Sequence, residues 1–271
     1  MTIKLLVLDV DGTIAGTSNQ IREPVKAAIR RVAANGVPVA IATGRMYRSA
    51  LRFHREIESL LPLICYQGAL IKDPTNGDRI HRHTPLCPNL TRELLDFFES
   101  PEWRDRLSVH FYIDDRLYVR DLTPDTRAYV ERSKMEAIAV GDLRSLATAP
   151  TKVLALSHDT TAIASLLHQI RQRYTRQQLY TTTSVATFFE AAHPDVNKGD
   201  AVRYIAEACL GLRPENVMAV GDNWNDLEML KYAGIGVAMG DAPDEVKAIA
   251  DWVAPTVEAD GVAVAIEQFL S

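Results

Sequence analysis

The chain has 271 residues, of which 47% are hydrophobic and 24% charged, and its formal net charge is -5. That length fits one large domain or two smaller ones, with enough apolar material for a core that needs no disulfide staple. The acidic balance argues against a general nucleic-acid surface, and no charged leader or membrane-length apolar stretch is visible, so a soluble cytoplasmic protein is expected. The three cysteines, Cys65, Cys87 and Cys209, form no CxxC pair and are expected to be reduced and mostly buried.

Ile3 to Val10 is a near-continuous apolar run, the pattern of a strand buried on both faces in a parallel sheet. In "REPVKAAIRRVAANG", Val25, Ala28, Ile29, Val32 and Ala33 fall at helical spacing, Pro24 suits a first turn and Gly36 a C-terminal cap. "VPVAIATGR" reads as a second buried strand that stops at Thr43-Gly44, followed by a helix over about 46–59 and a third strand in "LPLICYQGAL". A βαβαβ order of this kind predicts a doubly wound, Rossmann-like parallel sheet with ligands at the carboxyl ends of its strands.

The rhythm changes after about residue 83. "TRELLDFFES" is helical, and "VHFYIDDRLYVR" alternates around Asp114-Asp115 like a hairpin. A helix, the strand "TKVLALS", the helix "TTAIASLLHQIRQRY" and the strands "LYTTT" and "ATFFEA" complete a separate α+β unit. Its borders are Pro-containing segments, "HTPLCP" and "HPD". The expected organisation is a core over 1–83, an inserted α+β domain over 84–190, and the rest of the core over 191–271. In the last part a helix over about 198–209 leads to the buried strand of "NVMAVGDNWND", then a helix, the short strand of "GIGVAMG" and two final helices.

Two carboxylates, Asp9 and Asp11, close the first strand, and Gly12 and Thr13 let the chain turn there and aim backbone N–H groups inward. Asp222 and Asp226 close another strand in the same manner. Carboxylates converging at strand ends repel one another and are costly to bury; a hard divalent cation such as Mg2+ resolves this and favours substrates that bring phosphate oxygens. Thr43 at a strand end and Lys198 at a helix start are matching donors.

"DVDGT", "ATGR", "NKGDA" and "GDNWNDLEML", in this order, resemble the four motifs of the haloacid dehalogenase-like hydrolase superfamily. The last of them, with "GVAMGDAPDEVKAIAD" and "ADGVA" after it, is most similar to the Cof-type phosphatase branch, which carries a large α/β cap. The resemblance covers the whole chain, with the cap between the second and third motifs. It implies a Mg2+-dependent phosphoric monoester hydrolase acting through an aspartyl-phosphate on small phosphorylated metabolites, sugar phosphates foremost. A monomer or weak dimer is expected, and charge and apolar-run length argue for no nucleic-acid or membrane partner. By position the resemblance makes Asp9 the nucleophile and Asp11 the general acid/base, and gives the phosphoryl group to Thr43, Gly44 and Lys198. Metal contacts fall to Asp9, the backbone carbonyl of Asp11, and Asp222, with Asn225 and Asp226 beside the metal.

Some positions depart from or vary around the family pattern. Gln67-Gly68 stands where relatives carry Asn-Gly, and that Asn often faces the substrate. Arg45 is expected to orient an active-site carboxylate, Trp224 to pack under the site, and His193 to be a turn residue. His81 and His83 are expected at a solvated strand end rather than on a metal. Three rivals are weighed: a phosphosugar mutase, which the motifs do not separate from a hydrolase; a phospho-accepting signalling module, which would be about half this length and capless; and a dehalogenase, which would leave Asp11 and the "GDNWND" cluster without a role.

Overall fold

Leu5–Leu8 forms β1, an unbroken run of fully buried aliphatic side chains. Such a strand needs a neighbour on each edge and cover on both faces, and it has them. In this computed structural model, which describes residues 2–146 and 149–270, β1 pairs in parallel with β2 (Val39–Ile41) on one side and with Val217–Gly221, late in the chain, on the other. The polypeptide divides into two compact units, 1–82 with 197–271, and 83–196.

In the first unit, α1 (Glu23–Ala34) follows β1, with proline in its first turn, and Gly36 beyond its end takes a φ of 85°. The helix α2 (Tyr47–Glu56) joins β2 to β3 (Leu63–Cys65), which touches the parallel sheet through the bridge Ala42–Ile64. The third strand is shorter than its apolar run suggests. The chain breaks at Tyr66–Gly68 and returns as β4 (Leu70–Asp73) and β5 (Arg79–His83), a three-stranded flap.

In the second unit, β6 (Ser108–Ile113), β7 (Arg116–Val119), β8 (Ala137–Ala139), β9 (Lys152–Leu156), β10 (Tyr180–Thr182) and β11 (Phe188–Ala192) lie in the order β10-β11-β9-β6-β7-β8. Asp114 and Asp115, both with positive φ, make the two-residue hairpin between β6 and β7. On one face Phe111, Val153, Ala155 and Phe189 pack with α3 (Pro88–Phe98) and α5 (Thr160–Arg173) around Trp103. The other face carries polar groups: a buried Lys152–Glu190 pair at 3.0 Å, and His110, whose Nε2 meets Thr126 Oγ1 at 2.9 Å on α4 (Pro124–Ser133).

The βα rhythm then resumes with α6 (Lys198–Arg203), which continues as a π turn over Tyr204–Cys209. Strand β12 (Val217–Gly221), α7 (Leu227–Tyr232), β13 (Ile235–Ala238), α8 (Asp244–Lys247), the two-residue β14 (Trp252–Val253) and α9 (Gly261–Leu270) finish a parallel sheet of order β14-β13-β12-β1-β2. The α/β fold with a Rossmann-like parallel sheet is therefore as the apolar runs predict. Strand β1 ends at Leu8, so Asp9 and Asp11 both lie beyond it, Asp9 just before the turn and Asp11 within it. Cys65 is buried, but Cys87 and Cys209 are exposed, one just before α3 and the other at the end of the π turn. Among the described residues no helix is long and apolar enough to cross a membrane.

Burial, with a smaller contribution from the Lys152 charge, pushes His110 down from 6.5 to about 3. Above pH 6.5 the ring is neutral in both folded and unfolded chains. Below it the unfolded chain takes up a proton that the folded one refuses, so stability is lost progressively between about pH 6.5 and pH 3, by about 1.4 kcal/mol per pH unit at most from this group. His110→Gln is expected to flatten the stability-versus-pH curve over that window by one proton, read from denaturant unfolding of both proteins at several pH values.

Candidate active site

The parallel register sets Leu8 opposite Val220, so the chain leaves β1 and β12 side by side. The Asp9 amide donates to the Val220 carbonyl at 3.1 Å, tying the two exits together. The next turn is compact: the carbonyl of Val10 accepts from the amides of Thr13, Ile14 and Ala15 at 3.3, 3.1 and 2.9 Å. Gly12, with φ 81°, stands where any Cβ would collide with Asp222 Oδ2. Glycine there permits both the left-handed backbone and the close approach of the β12 loop. The Thr13 hydroxyl then donates to Asp222 Oδ1 at 3.3 Å.

Asp226 organises the second loop. Its Oδ2 accepts from the amides of Asp222 and Asn223 at 2.9 and 3.1 Å, leaving Oδ1 for another donor. That donor is Lys198, the first residue of α6, placed by the Asn197 cap, whose side chain accepts from the Asp200 amide. Lys198 Nζ reaches Asp226 Oδ1 and Asp9 Oδ1, each at 2.6 Å, and the side chain is 0% exposed. Asp9, Asp222 and Asp226 each bring a carboxylate oxygen within 4.8 Å of the others.

Three carboxylates thus meet one ammonium in a dry setting. Burial, then repulsion from Asp226 and Asp11, holds the Asp9 carboxyl above its ordinary range despite Lys198. Asp222 is raised by burial and by the Asp9 and Asp226 charges. Burial alone would lower the Lys198 ammonium, but Asp226 and Asp9 outweigh it and raise it. Burial is the first cause of the shift toward protonation in both acids, and for Asp222 the like charges of Asp9 and Asp226 add to it. An all-oxygen donor set with two uncompensated charges is what a hard divalent cation fits.

Asp11 stands apart from this cluster. It is half-exposed, and Arg45 grips it with two bonds, Nε to Oδ2 at 2.7 Å and Nη2 to Oδ1 at 2.6 Å. Arg45 in turn donates to Asn19 Oδ1 and lies over the Phe53 ring, 4.6 Å from its centroid. Thr43 is fully buried, and its Oγ1 accepts from the Arg45 amide at 3.2 Å. Asn225 is buried, with its Nδ2 donating to Gln67 Oε1 at 3.1 Å. Trp224, expected underneath, is half-exposed instead: the turn that points Asn225 and Asp226 inward points the residue before them out. His193 accepts from the Asp195 amide in a local turn, His81 faces Tyr204 and Asp73, and His83 meets Thr151. The Gln67–Asn225 contact, between residues 158 apart in sequence, carried no local signal.

Residues 6–266 match the family model described as haloacid dehalogenase-like hydrolase. The chain belongs to this family. It is 31% identical over 275 residues (98% of this chain, 97% of the relative) to the Bacillus subtilis 5-amino-6-(5-phospho-D-ribitylamino)uracil phosphatase YitU. It is 30% identical over 270 residues (99% and 96%) to the B. subtilis phosphatase of the same name, YcsE. A crystal structure of a haloacid dehalogenase-like hydrolase from Bacteroides thetaiotaomicron superposes with a TM-score of 0.85 at 25% identity, covering 98% of this chain and 99% of that one.

Because Lys198 neutralises Asp9 and Asp226 together, Lys198→Met leaves two buried carboxylates without their cation. It is expected to cost roughly 3–5 kcal/mol of stability, measured by denaturant unfolding at neutral pH. Asp226→Asn in the same background should recover part of the loss, since one of the unpaired charges is then gone.

Proposed function

We propose that this hydrolase is a Mg2+-dependent phosphatase of small phosphorylated metabolites, working through an aspartyl-phosphate on Asp9. The observation that carries the reading is the buried Lys198 bridging Asp9 and Asp226 within a three-carboxylate cluster, with a second Asp-loop carboxylate, Asp11, held outside it by Arg45. Relatives of about 30% identity named as phosphatases of a ribityl phosphate support an ester on a sugar or polyol hydroxyl as the substrate class. We assign unit 83–196, by its place between the second and third motifs, as the inserted cap.

Asp9, the backbone carbonyl of Asp11, and Asp222 would hold Mg2+, with Asn225 and Asp226 beside it. When bound, the cation supplies the charge neutralisation that lets an anionic nucleophile meet an anionic ester. The remaining steps belong to the chain. Thr43, Gly44 and Lys198 hold the phosphoryl oxygens. Asp9 attacks phosphorus, the bond from phosphorus to the leaving oxygen breaks, and Asp11 gives its proton to that oxygen. Asp11, now a carboxylate, takes a proton from water; the water oxygen attacks phosphorus, and Asp9 and inorganic phosphate separate. Both Asp11 oxygens accept from Arg45 in the structure, so proton donation calls for one of them to turn toward the leaving group.

A phosphate-release screen over metabolite monoesters tests the activity, with sugar and polyol phosphates expected to lead. EDTA is expected to abolish turnover, Mg2+ to restore it, and Ca2+, with its larger and looser shell, to inhibit. Full turnover in metal-free protein refutes the cation's role.

The two aspartates separate by leaving group. Asp9→Asn is expected to abolish turnover of every ester. Asp11→Asn should slow phosphoenzyme formation by ~10²–10⁴-fold with a sugar phosphate and by much less with a nitrophenyl phosphate, whose leaving group needs little protonation. Equal losses for both esters in single-turnover measurements would remove Asp11 from the acid's role.

A further inference from the structure

Gln67 sits in an unusual turn. Tyr66, Gln67 and Gly68 have φ values of 52°, 61° and 100° in succession, left-handed values that residues with side chains adopt only under strain. The turn is nevertheless pinned to the loop after β2: the Tyr66 amide donates to the Arg45 carbonyl at 2.9 Å, and the Gln67 amide to the Thr43 carbonyl at 3.0 Å. The strained backbone carries a buried polar side chain, 1% exposed, between two strand-end loops. At one end Nε2 lies against Gly44, where a Cβ would collide with it. At the other, Oε1 accepts from Asn225 Nδ2 at 3.1 Å. Asn225 is itself 4% exposed, and among the described residues no donor reaches its Oδ1. A buried acceptor without a donor is rare and calls for a ligand, water or ion.

We propose that Gln67 is a positioning residue that sets the polarity of the Asn225 amide. By taking the NH2 end, it leaves the carbonyl oxygen as the end offered to the cation held by Asp9, Asp222 and Asp226; an amide turned the other way would offer N–H donors to a positive charge. The inference rests on the Mg2+ reading above. It accounts for a glutamine in place of the family's asparagine: from this turn, the side chain spans the distance to Asn225 while covering Gly44. It also gives the left-handed turn a purpose, since strain of this kind is kept where a side chain has to be aimed.

The test is Mg2+ binding to the full-length protein by calorimetry, without substrate. Gln67→Asn keeps the amide and tolerates the left-handed backbone, but it is one methylene shorter. It is expected to bind Mg2+ roughly 10–100-fold more weakly, with its metal-free thermal midpoint near that of the wild type. Gln67→Glu, which keeps the length and the acceptor, should restore binding. Asn225→Ala should weaken binding by a similar factor, and the double variant should lose no more than either single one. Should the shortened variant not fold, Gln67→Met, of equal length and without an acceptor, takes its place with the same expected loss. Wild-type affinity in Gln67→Asn, or losses that add in the double variant, overturns the proposal while leaving the Mg2+ reading intact. A wild-type protein that binds no Mg2+ overturns both.

Discussion

One buried cation organises the site. Lys198 has no solvent around it, and its two partners, Asp9 and Asp226, come from opposite ends of the chain. Moving an ammonium and two carboxylates out of water costs more than a single ion pair returns, unless the remaining lone pairs find donors. Asp226 meets that condition, spending its second oxygen on two backbone amides of its own loop. The geometry follows from β1 and β12 lying in register, since a slip of one residue would carry Asp9 away from the Val220 carbonyl and from Lys198 together. The Asn197 cap at the start of α6 is the third constraint. It fixes the first turn of the helix and so fixes where the lysine begins.

The same arrangement explains why the carboxylates remain poorly neutralised. Lys198 bonds to Asp9 and Asp226 but not to Asp222, whose contacts are the Thr13 hydroxyl and the neighbouring acids. A cluster assembled only for stability would pair each acid or replace it with an apolar residue of similar size, which is often neutral or better. Groups pushed from their ordinary ionisation by burial and like charge, at the carboxyl ends of a parallel sheet, are the pattern of a working site.

Much of this was legible in the chain. The fully buried runs before Asp9 and Asp222 gave central parallel strands because nothing polar interrupts them, and Pro24 and Gly36 bracket α1 as helix-end chemistry requires. Asp114-Asp115 made its hairpin turn because aspartate tolerates positive φ. Other features had no local signal. A left-handed Tyr66-Gln67 cannot be read from residue type, since neither favours that region, so the third strand looked longer than it is. The two residues of β14 are too few to show a period. The exposure of Trp224 follows from the turn it enters rather than from its own apolarity, and the Gln67–Asn225 contact exists only once two distant loops are folded together.

The end of β1 at Leu8 changes how the two aspartates should be understood. On a strand, residues two apart point the same way, and that alternation would set Asp9 and Asp11 side by side on one face. Beyond the strand no such rule applies; the direction of Asp11 is set by the turn in which the Val10 carbonyl gathers three amides. The turn delivers them to different surroundings. Asp9 is buried against Lys198 and two other acids, while Asp11 is half-exposed and faces a guanidinium that stacks on Phe53. Two carboxylates with one job would be best served by equal environments, whereas a nucleophile and a proton carrier need unequal ones. The turn makes a pair of neighbouring, chemically identical side chains unequal, and it does so with backbone hydrogen bonds that no substitution of the aspartates themselves would remove.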